Sequence, residues 1–428
     1  MSMTSVHPDM RSIFSAQRPL RLAYFVSHPI QYQAPLLRRI AQQRDIDLKV
    51  FFSSDFSVRG YLDPGFGVAV KWDIPLLEGY QHAFLPVLWD ADSFSPWKPI
   101  NYGIRNILRK QGFDAVWVHG YSTLTSLQAI EAAHSLRIPL LLRAESNLDD
   151  RLRSPAKLAI KRLFFGWLGK RVSAALTIGD ANTAYWRHYL GEEFPVFPCY
   201  YSVDNEFFQR ECARAAESRE EFRRSLDLDA GRPVILFASK LQTRKRCIDL
   251  LEAFLQMRTK IPAERAPYLL IVGDGEERGA VEARAREAGS KDVRFLGFRN
   301  QTELPRFYDL CNVFVLASVH EPWGLAVNEV MNAARPVIVS DQVGCSRNLV
   351  RNGVNGFVVK ACDVHRLAEA LGAVLGGDET WRTMGARSLE IIESYSFDGN
   401  VEGLRQALEH TVPGFDASAP LRSGAENA

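Results

Sequence analysis

The sequence predicts an α/β protein built from two facing, doubly wound Rossmann-like domains with a cleft between them. Three observations carry this. Short, almost continuous apolar runs recur along the chain, as in strands buried on both faces of a parallel sheet. Helix-length segments separate them, so strand and helix alternate throughout. The alternation pauses once, in the charged stretch Arg210 to Arg232, and then restarts with the same rhythm.

Taken in order, residues 1–18 are polar and without period, and are expected to be disordered. LRLAYFV (Leu20 to Val26) is the first strand. It runs into a polar loop, Ser27 to Gln33, then the helical pattern APLLRRIAQQ and the strand DLKVFF. Residues 54–104 read as loop, rich in aromatics and glycines. FDAVWVHG, PLLLRAE and AALTIGD are further strands, completing a first domain over 19–205. A hinge is expected near 205–215. The second domain, 215–395, carries the strands PVILFAS, YLLIVGDG, VRFLGF, NVFVLAS, Pro336 to Val339 and GFVVK. A helix over 396–411 and a small, polar, mobile tail over 412–428 are expected to finish the chain. In open α/β sheets ligands sit at the carboxyl ends of strands, so the loops after the first strand of each half should face the cleft.

Of the 428 residues, 46% are hydrophobic and 24% charged, an ordinary globular balance. The net charge of +2 argues against a dedicated nucleic-acid binder. The six cysteines form no C-x-x-C pair, so neither a zinc site nor a redox motif is suggested, and a reducing cytoplasm is the expected setting. No apolar run reaches the ~18–20 residues of a membrane span, and the N-terminus lacks the apolar region of a signal peptide.

The most informative stretch is Ser318 to Gly344, SVHEPWGLAVNEVMNAARPVIVSDQVG. Two carboxylates eight positions apart, Glu321 and Glu329, straddle a helix start. Pro322 suits a first helical turn, and Gly324 allows a close backbone approach. The free amides at Gly324-Leu325 then make a seat for an anion. Lys240 and Lys245 lie at the lip of the strand PVILFAS, where two cations suit a diphosphate; a solvated basic loop is the plain alternative. GDGEERG (Gly273 to Gly279) approximates a dinucleotide fingerprint, but its acidic residues and late third glycine favour a tight strand-to-helix turn. Asp45/Asp47 and Asp227/Asp229 read as turn chemistry, while Asp90/Asp92 sit in an aromatic loop; no metal is expected. In the first half, His28 and His119 follow strand ends, and Arg143 and Glu145 end a third strand as a pair that could be only a structural bridge. Arg151 to Arg171 holds seven basic residues and a wide apolar face. It suits contact with an anionic membrane or a lipid-linked substrate, or else a core-facing helix with a solvated rim.

On these residues the chain resembles the retaining glycosyltransferases of family 4, which have the GT-B fold. The resemblance covers roughly residues 20–410. The motif E-x7-E runs from Glu321 to Glu329 within HEPWGLAVNE; Ser239-Lys240 with Lys245, GDGEER, FLGF, PVIVSDQVG and RNGVNGFVV match other recurrent pieces. VSHPIQYQAPLLR, the loop at His119 and YYSVDNEFF fit in the first half. Two departures stand out: the family usually has arginine at Lys240, and the glycine common near Ser27-His28 is absent.

The resemblance implies a nucleotide-sugar co-substrate, UDP- or GDP-linked, with no metal or other cofactor. Glu321 would bind sugar hydroxyls, Glu329 the ribose, and Lys240, Lys245 and the Gly324-Leu325 amides the diphosphate. Backbone near Phe298 would meet the nucleobase, and His119 would approach sugar and acceptor. His28, Gln31, Arg143 and Glu145 would form the acceptor side. It further implies a final helix crossing back to the first domain, and a glycan or lipid-linked acceptor in surface glycan synthesis, for which the residues of Arg151 to Arg171 offer contact with the inner face of the membrane. A nucleotide-sugar epimerase or hydrolase on the same fold, or a non-catalytic sugar-nucleotide binding protein, are the rival readings.

Overall fold

The computed structural model describes residues 18–63, 65–90, 95–148, 154–262 and 264–418. Seven parallel strands form the first sheet: β1 (Leu20–Val26), β2 (Ile46–Phe52), β3 (Gln81–Phe84), β4 (Ala115–His119), β5 (Leu140–Arg143), β6 (Ala174–Thr177) and β7 (Val196–Pro198). Their order is β7-β6-β5-β4-β1-β2-β3. The central strand β1 pairs with β2 from Leu20↔Ile46 and with β4 from Leu22↔Ala115. Its run of seven, mostly apolar, is buried but for Arg21, because helices cover both faces.

The second sheet has β8 (Val234–Ala238), β9 (Tyr268–Val272), β10 (Val293–Gly297), β11 (Val313–Leu316), β12 (Val337–Ser340) and β13 (Gly356–Val359), in the order β10-β9-β8-β11-β12-β13. Both sheets are wound alike. The first strand lies inside, the next two step to one side, and the rest to the other. The order therefore reverses between β1 and β4 and again between β8 and β11, which are the two places where a crevice opens for a ligand.

The segment 54–104, expected as loop, holds β3 and two hairpins, Tyr61–Asp63 with Val68–Val70 and Val87–Trp89 with Ile100–Asn101. The edge strand β3 (QHAF) is mostly exposed, and so carries no apolar run to announce it. The expected hinge at 205–215 is instead continuous helix, Asn205–Glu217. Asp204 caps it by accepting from Phe207 N (2.9 Å), and Phe208 and Cys212 pack in the second domain with Tyr308 and Leu310. The chain crosses before that helix, in 199–204, and returns near Ser394–Ser396. The helix Phe397–Thr411 then buries Val401, Leu404, Ala407 and Leu408 among Leu22, Tyr24, Leu141 and Leu176 of the first domain. It sits so close that a Cβ on Gly403 would lie 1.6 Å from Pro198 O.

Four of the six aspartates in the D-x-D pairs are held in ion pairs. Asp45 is ion-paired with Arg405 (2.6 Å), Asp47 with Arg21 (3.5 Å) and Asp229 with Arg232 (3.1 Å). Asp90 pairs with Arg59, and Asp92 lies outside the described residues. Gly273, at φ 134°, lets the β9 loop press on the β8 loop: a Cβ there would be 2.0 Å from Ser239 O. GDGEERG is thus the tight strand-to-helix turn.

Candidate active site

The second domain builds a cluster of cations. After β8 the chain runs through Ser239 and Lys240 into a short turn, Thr243–Lys245, ended by Arg246 in the left-handed region. Leu241 N donates to Asp274 O (2.8 Å), which pins this loop to its neighbour. The turn presents Arg244 and Lys245 beside Lys240. Arg244 donates to His320 O (3.1 Å) and to Gln242 Oε1 (3.1 Å). Lys245 is ion-paired with Glu321. Burial, with the charges of Arg244 and Lys240, pulls the Lys245 pKa down to about 7.

Glu321 belongs to a loop laced to the one after β12. Gly344 N donates to Glu321 O (2.9 Å), and a Cβ on Gly344 would sit 1.9 Å from Pro322 O. The helix starts at Leu325, after Gly324 at φ 100°, so Pro322 lies in the loop and not in the first turn. Glu329 follows one turn later. Tyr308 donates its hydroxyl to Glu329 at 2.5 Å. Burial, opposed by that bond, lifts the Glu329 pKa to about 7. Trp323 is buried and donates to Asn328 Oδ1 (2.8 Å), while Asn328 Nδ2 donates to Tyr201 O (3.0 Å) where the chain crosses between domains.

The first domain supplies the opposite wall. His119 lies 3.3–3.4 Å from Gln33 Nε2 and 3.5 Å from Glu145 Oε1. Tyr32 donates to Glu145 (3.2 Å), and Tyr201 donates to the same oxygen. Burial would raise the Glu145 pKa, but His119, Tyr32 and the charge of Arg143 outweigh it, and the carboxyl is held below its usual range. His28 bonds Ser27 Oγ (2.9 Å); burial and His119 push its pKa down to about 4, so it is neutral at pH 7. Arg143 does not pair directly with Glu145. It is fully buried behind the wall, its guanidinium 4.8 Å over the Tyr201 ring.

Two cavities open between these two walls among the described residues. The larger, about 660 Å³, is lined by His28, Gln31, His119 and Glu145 on one side and Lys240, Arg244 and Lys245 on the other. The smaller, about 170 Å³, is lined by Gln31, Phe298, Leu325 and Glu329, with Phe66 and Trp72 from the first domain. The structure thus gathers most of the expected residues. Glu321 is placed behind Lys245, and Arg143 outside the cleft. Sequence reasoning missed Arg244, whose only signal was adjacency to Lys245. It also missed Tyr32 and Tyr201, and Asp63, which holds Lys240 from across the cleft at 2.8 Å.

In the helix Pro155–Gly169, only Phe165 and Leu168 are buried. Its second half faces the core, where Phe165 and Leu168 pack with Tyr185 and Trp186 and Phe164 and Trp167 lie against them, while Ile160 and Leu163 are 66% and 77% exposed next to exposed Lys157 and Arg162. Arg151 to Arg153 lie outside the described residues. Among the described residues no helix is long and apolar enough to cross a membrane.

Two parallel-sheet Rossmann-like domains around such a cleft define the GT-B fold. Solved structures share it: sucrose-phosphate synthase from Thermosynechococcus elongatus has a TM-score of 0.65 at 17% identity, covering 90% of this chain and 98% of that one. Anabaena HepE in complex with UDP has a TM-score of 0.69 at 17% identity, covering 91% and 99%. At these identities the likeness is one of fold. Residues 218–389 match the family model described as glycosyl transferases group 1, which supports a glycosyltransferase family for this chain. An uncharacterized glycosyltransferase of Methanocaldococcus jannaschii is 31% identical over 185 residues, 42% of this chain and 46% of the relative. The D-inositol 3-phosphate glycosyltransferase of Nocardia farcinica is 29% identical over 195 residues, 44% and 43%. The chain thus spans less than half the length of these curated relatives.

Proposed function

We propose that this chain is a retaining glycosyltransferase of family 4 that moves a hexosyl group from a nucleotide-sugar, of UDP or GDP type, to a glycan or lipid-linked acceptor. The observation that carries the reading is the convergence of Lys240, Arg244 and Lys245 on one cavity, beside a smaller one that holds Glu329. As the bond between the anomeric carbon and the phosphate oxygen breaks, negative charge grows on the diphosphate. Prearranged cations facing that charge lower the barrier, and in this reading they meet it without a metal. Glu329, as a carboxylate, accepts from the two ribose hydroxyls. Glu321, behind Lys245, holds that ammonium in place and reaches sugar hydroxyls only past it, and His119, held by Gln33 and Glu145, faces the sugar and the acceptor. Attack from the leaving-group side, with the departing phosphate taking the acceptor proton, gives retention. Surface glycan synthesis at the cytoplasmic face of a membrane fits the exposed apolar and basic face of Pro155–Gly169.

The test is a thermal-shift panel of UDP-, GDP-, ADP- and TDP-sugars on the full chain, since a ligand that binds only the folded state raises its stability. One class should raise Tm, and Lys245→Ala and Glu329→Ala should abolish the shift. If no nucleotide-sugar shifts Tm, or both variants respond like wild type, the reading fails. Free sugar from donor alone, without acceptor, would favour the epimerase or hydrolase reading.

A further inference from the structure

A strap from the loop-rich part of the first domain, residues 61–63 and 65–73, reaches the second domain at three places. Asp63, 5% exposed, collects the N–H groups of Gly65 (2.8 Å) and Phe66 (3.1 Å) and the hydroxyl of Tyr61 (3.1 Å). Its two oxygens both accept from Lys240 Nζ, at 2.8 and 2.9 Å. The Phe66 ring lies 4.7 Å from that same ammonium and packs edge-to-face on Phe298 at 4.8 Å. Further along, Asn300 Nδ2 donates to Lys71 O (2.7 Å), and Thr302 N donates to the Asp73 carboxylate (3.2 Å). Phe66 and Trp72 thereby wall the smaller cavity opposite Glu329.

We propose that this strap is part of the donor site: Phe66 and Trp72, with Phe298, form the slot for the nucleobase, and Asp63 is the positioning residue that holds Lys240 toward the diphosphate. The inference rests on the donor reading above and adds to it two roles from the acceptor domain. Its physical basis is the difference between lysine and arginine. A lysine ammonium is a point charge on a flexible stem, without the fixed fork of a guanidinium. Asp63 takes up two of its three donors and leaves one for a phosphate oxygen in the larger cavity, which Lys240 lines. The slot has its own logic. Aromatic faces stack on any base, and a carboxylate in the same cavity suits the ribose attached to it.

Binding of UDP, GDP and inorganic pyrophosphate to the full chain, measured by calorimetry, tests both parts. Phe66→Ala should weaken the nucleoside diphosphate by roughly tenfold, within the range for loss of one base–aromatic stack. It should weaken pyrophosphate much less, since only the ring's contact with Lys240 is lost for that ligand. Should that variant not fold, Phe66→Leu, which fills the space without a π-face, carries the same prediction. Asp63→Ala should weaken both ligand types. Adding Lys240→Arg to Asp63→Ala should recover pyrophosphate binding, because the guanidinium needs no positioning; a merely structural Asp63 would show no such rescue. The proposal is overturned if Phe66→Ala weakens both ligands equally, if Asp63→Ala tightens pyrophosphate, or if the double variant stays weak. If wild type binds none of the three, the donor reading itself falls.

Discussion

Glu329 and Lys245 titrate in the same range but need opposite states. In the donor site proposed above, binding requires Glu329 ionised, because only the carboxylate is acceptor-only toward a ribose diol, and Lys245 protonated toward the diphosphate. Both pKa values lie at about 7, lifted for Glu329 by burial and lowered for Lys245 by burial with Arg244 and Lys240. Below pH 7 Glu329 holds a proton that binding must remove. Above pH 7 Lys245 has lost one that binding must restore. Each limb costs about 1.4 kcal/mol per pH unit, so affinity falls about tenfold per unit on either side of a maximum near neutrality. Two units away, the loss is about 100-fold. The assay is the Kd of an intact nucleotide-sugar, whose diphosphate diester does not titrate in this range, from pH 5 to pH 9 at fixed ionic strength. Glu329→Gln should flatten the acid limb at a weaker plateau. Lys245→Arg should flatten the alkaline limb, because a guanidinium stays charged. Glu321→Gln should move the alkaline limb to lower pH by removing the carboxylate ion-paired with Lys245. A flat wild-type profile, or limbs that persist in the variants assigned to them, would refute the reasoning.

Gly344→Ala should push Pro322 and with it the Glu321–Lys245 pair, lowering both Tm and donor affinity; an unchanged Kd would show that the loop contact is not needed. Asn328→Ala leaves the Trp323 indole N–H and Tyr201 O without their partner, at a cost of about 1–3 kcal/mol in urea unfolding. Leu408→Ala, in the returning helix, should cost about 2–5 kcal/mol and register in the unfolding of the first domain. Ile160→Glu with Leu163→Glu should reduce sedimentation with anionic vesicles and leave nucleotide binding unchanged.

What the sequence disclosed, and what it hid, follows from how far each signal travels along the chain. The strands of both sheets' interiors are legible because burial on both faces writes a nearly continuous apolar run, as in LRLAYFV and VILFA. The edge strand Gln81–Phe84 is buried on neither face and writes nothing comparable. The spacing of Glu321 and Glu329 survives folding because a single loop and helix carry both. The partners of Lys240, His119 and Glu329 do not: Asp63, Gln33 and Tyr308 arrive from distant positions, and no local pattern pairs them. Arg143 misled for a related reason. Its place at the end of β5 puts it at the crevice edge, but its side chain turns inward against Tyr201.

The returning helix makes the first domain discontinuous. Its core is completed by Val401, Leu404, Ala407 and Leu408, almost two hundred residues beyond the crossing at 199–204. A gene fragment ending near residue 204 would express a sheet with part of one face uncovered, and a chimera that exchanged first domains at a single junction would inherit a mismatched wedge. Any graft has to carry two pieces, the strands and this helix, cut at both crossings.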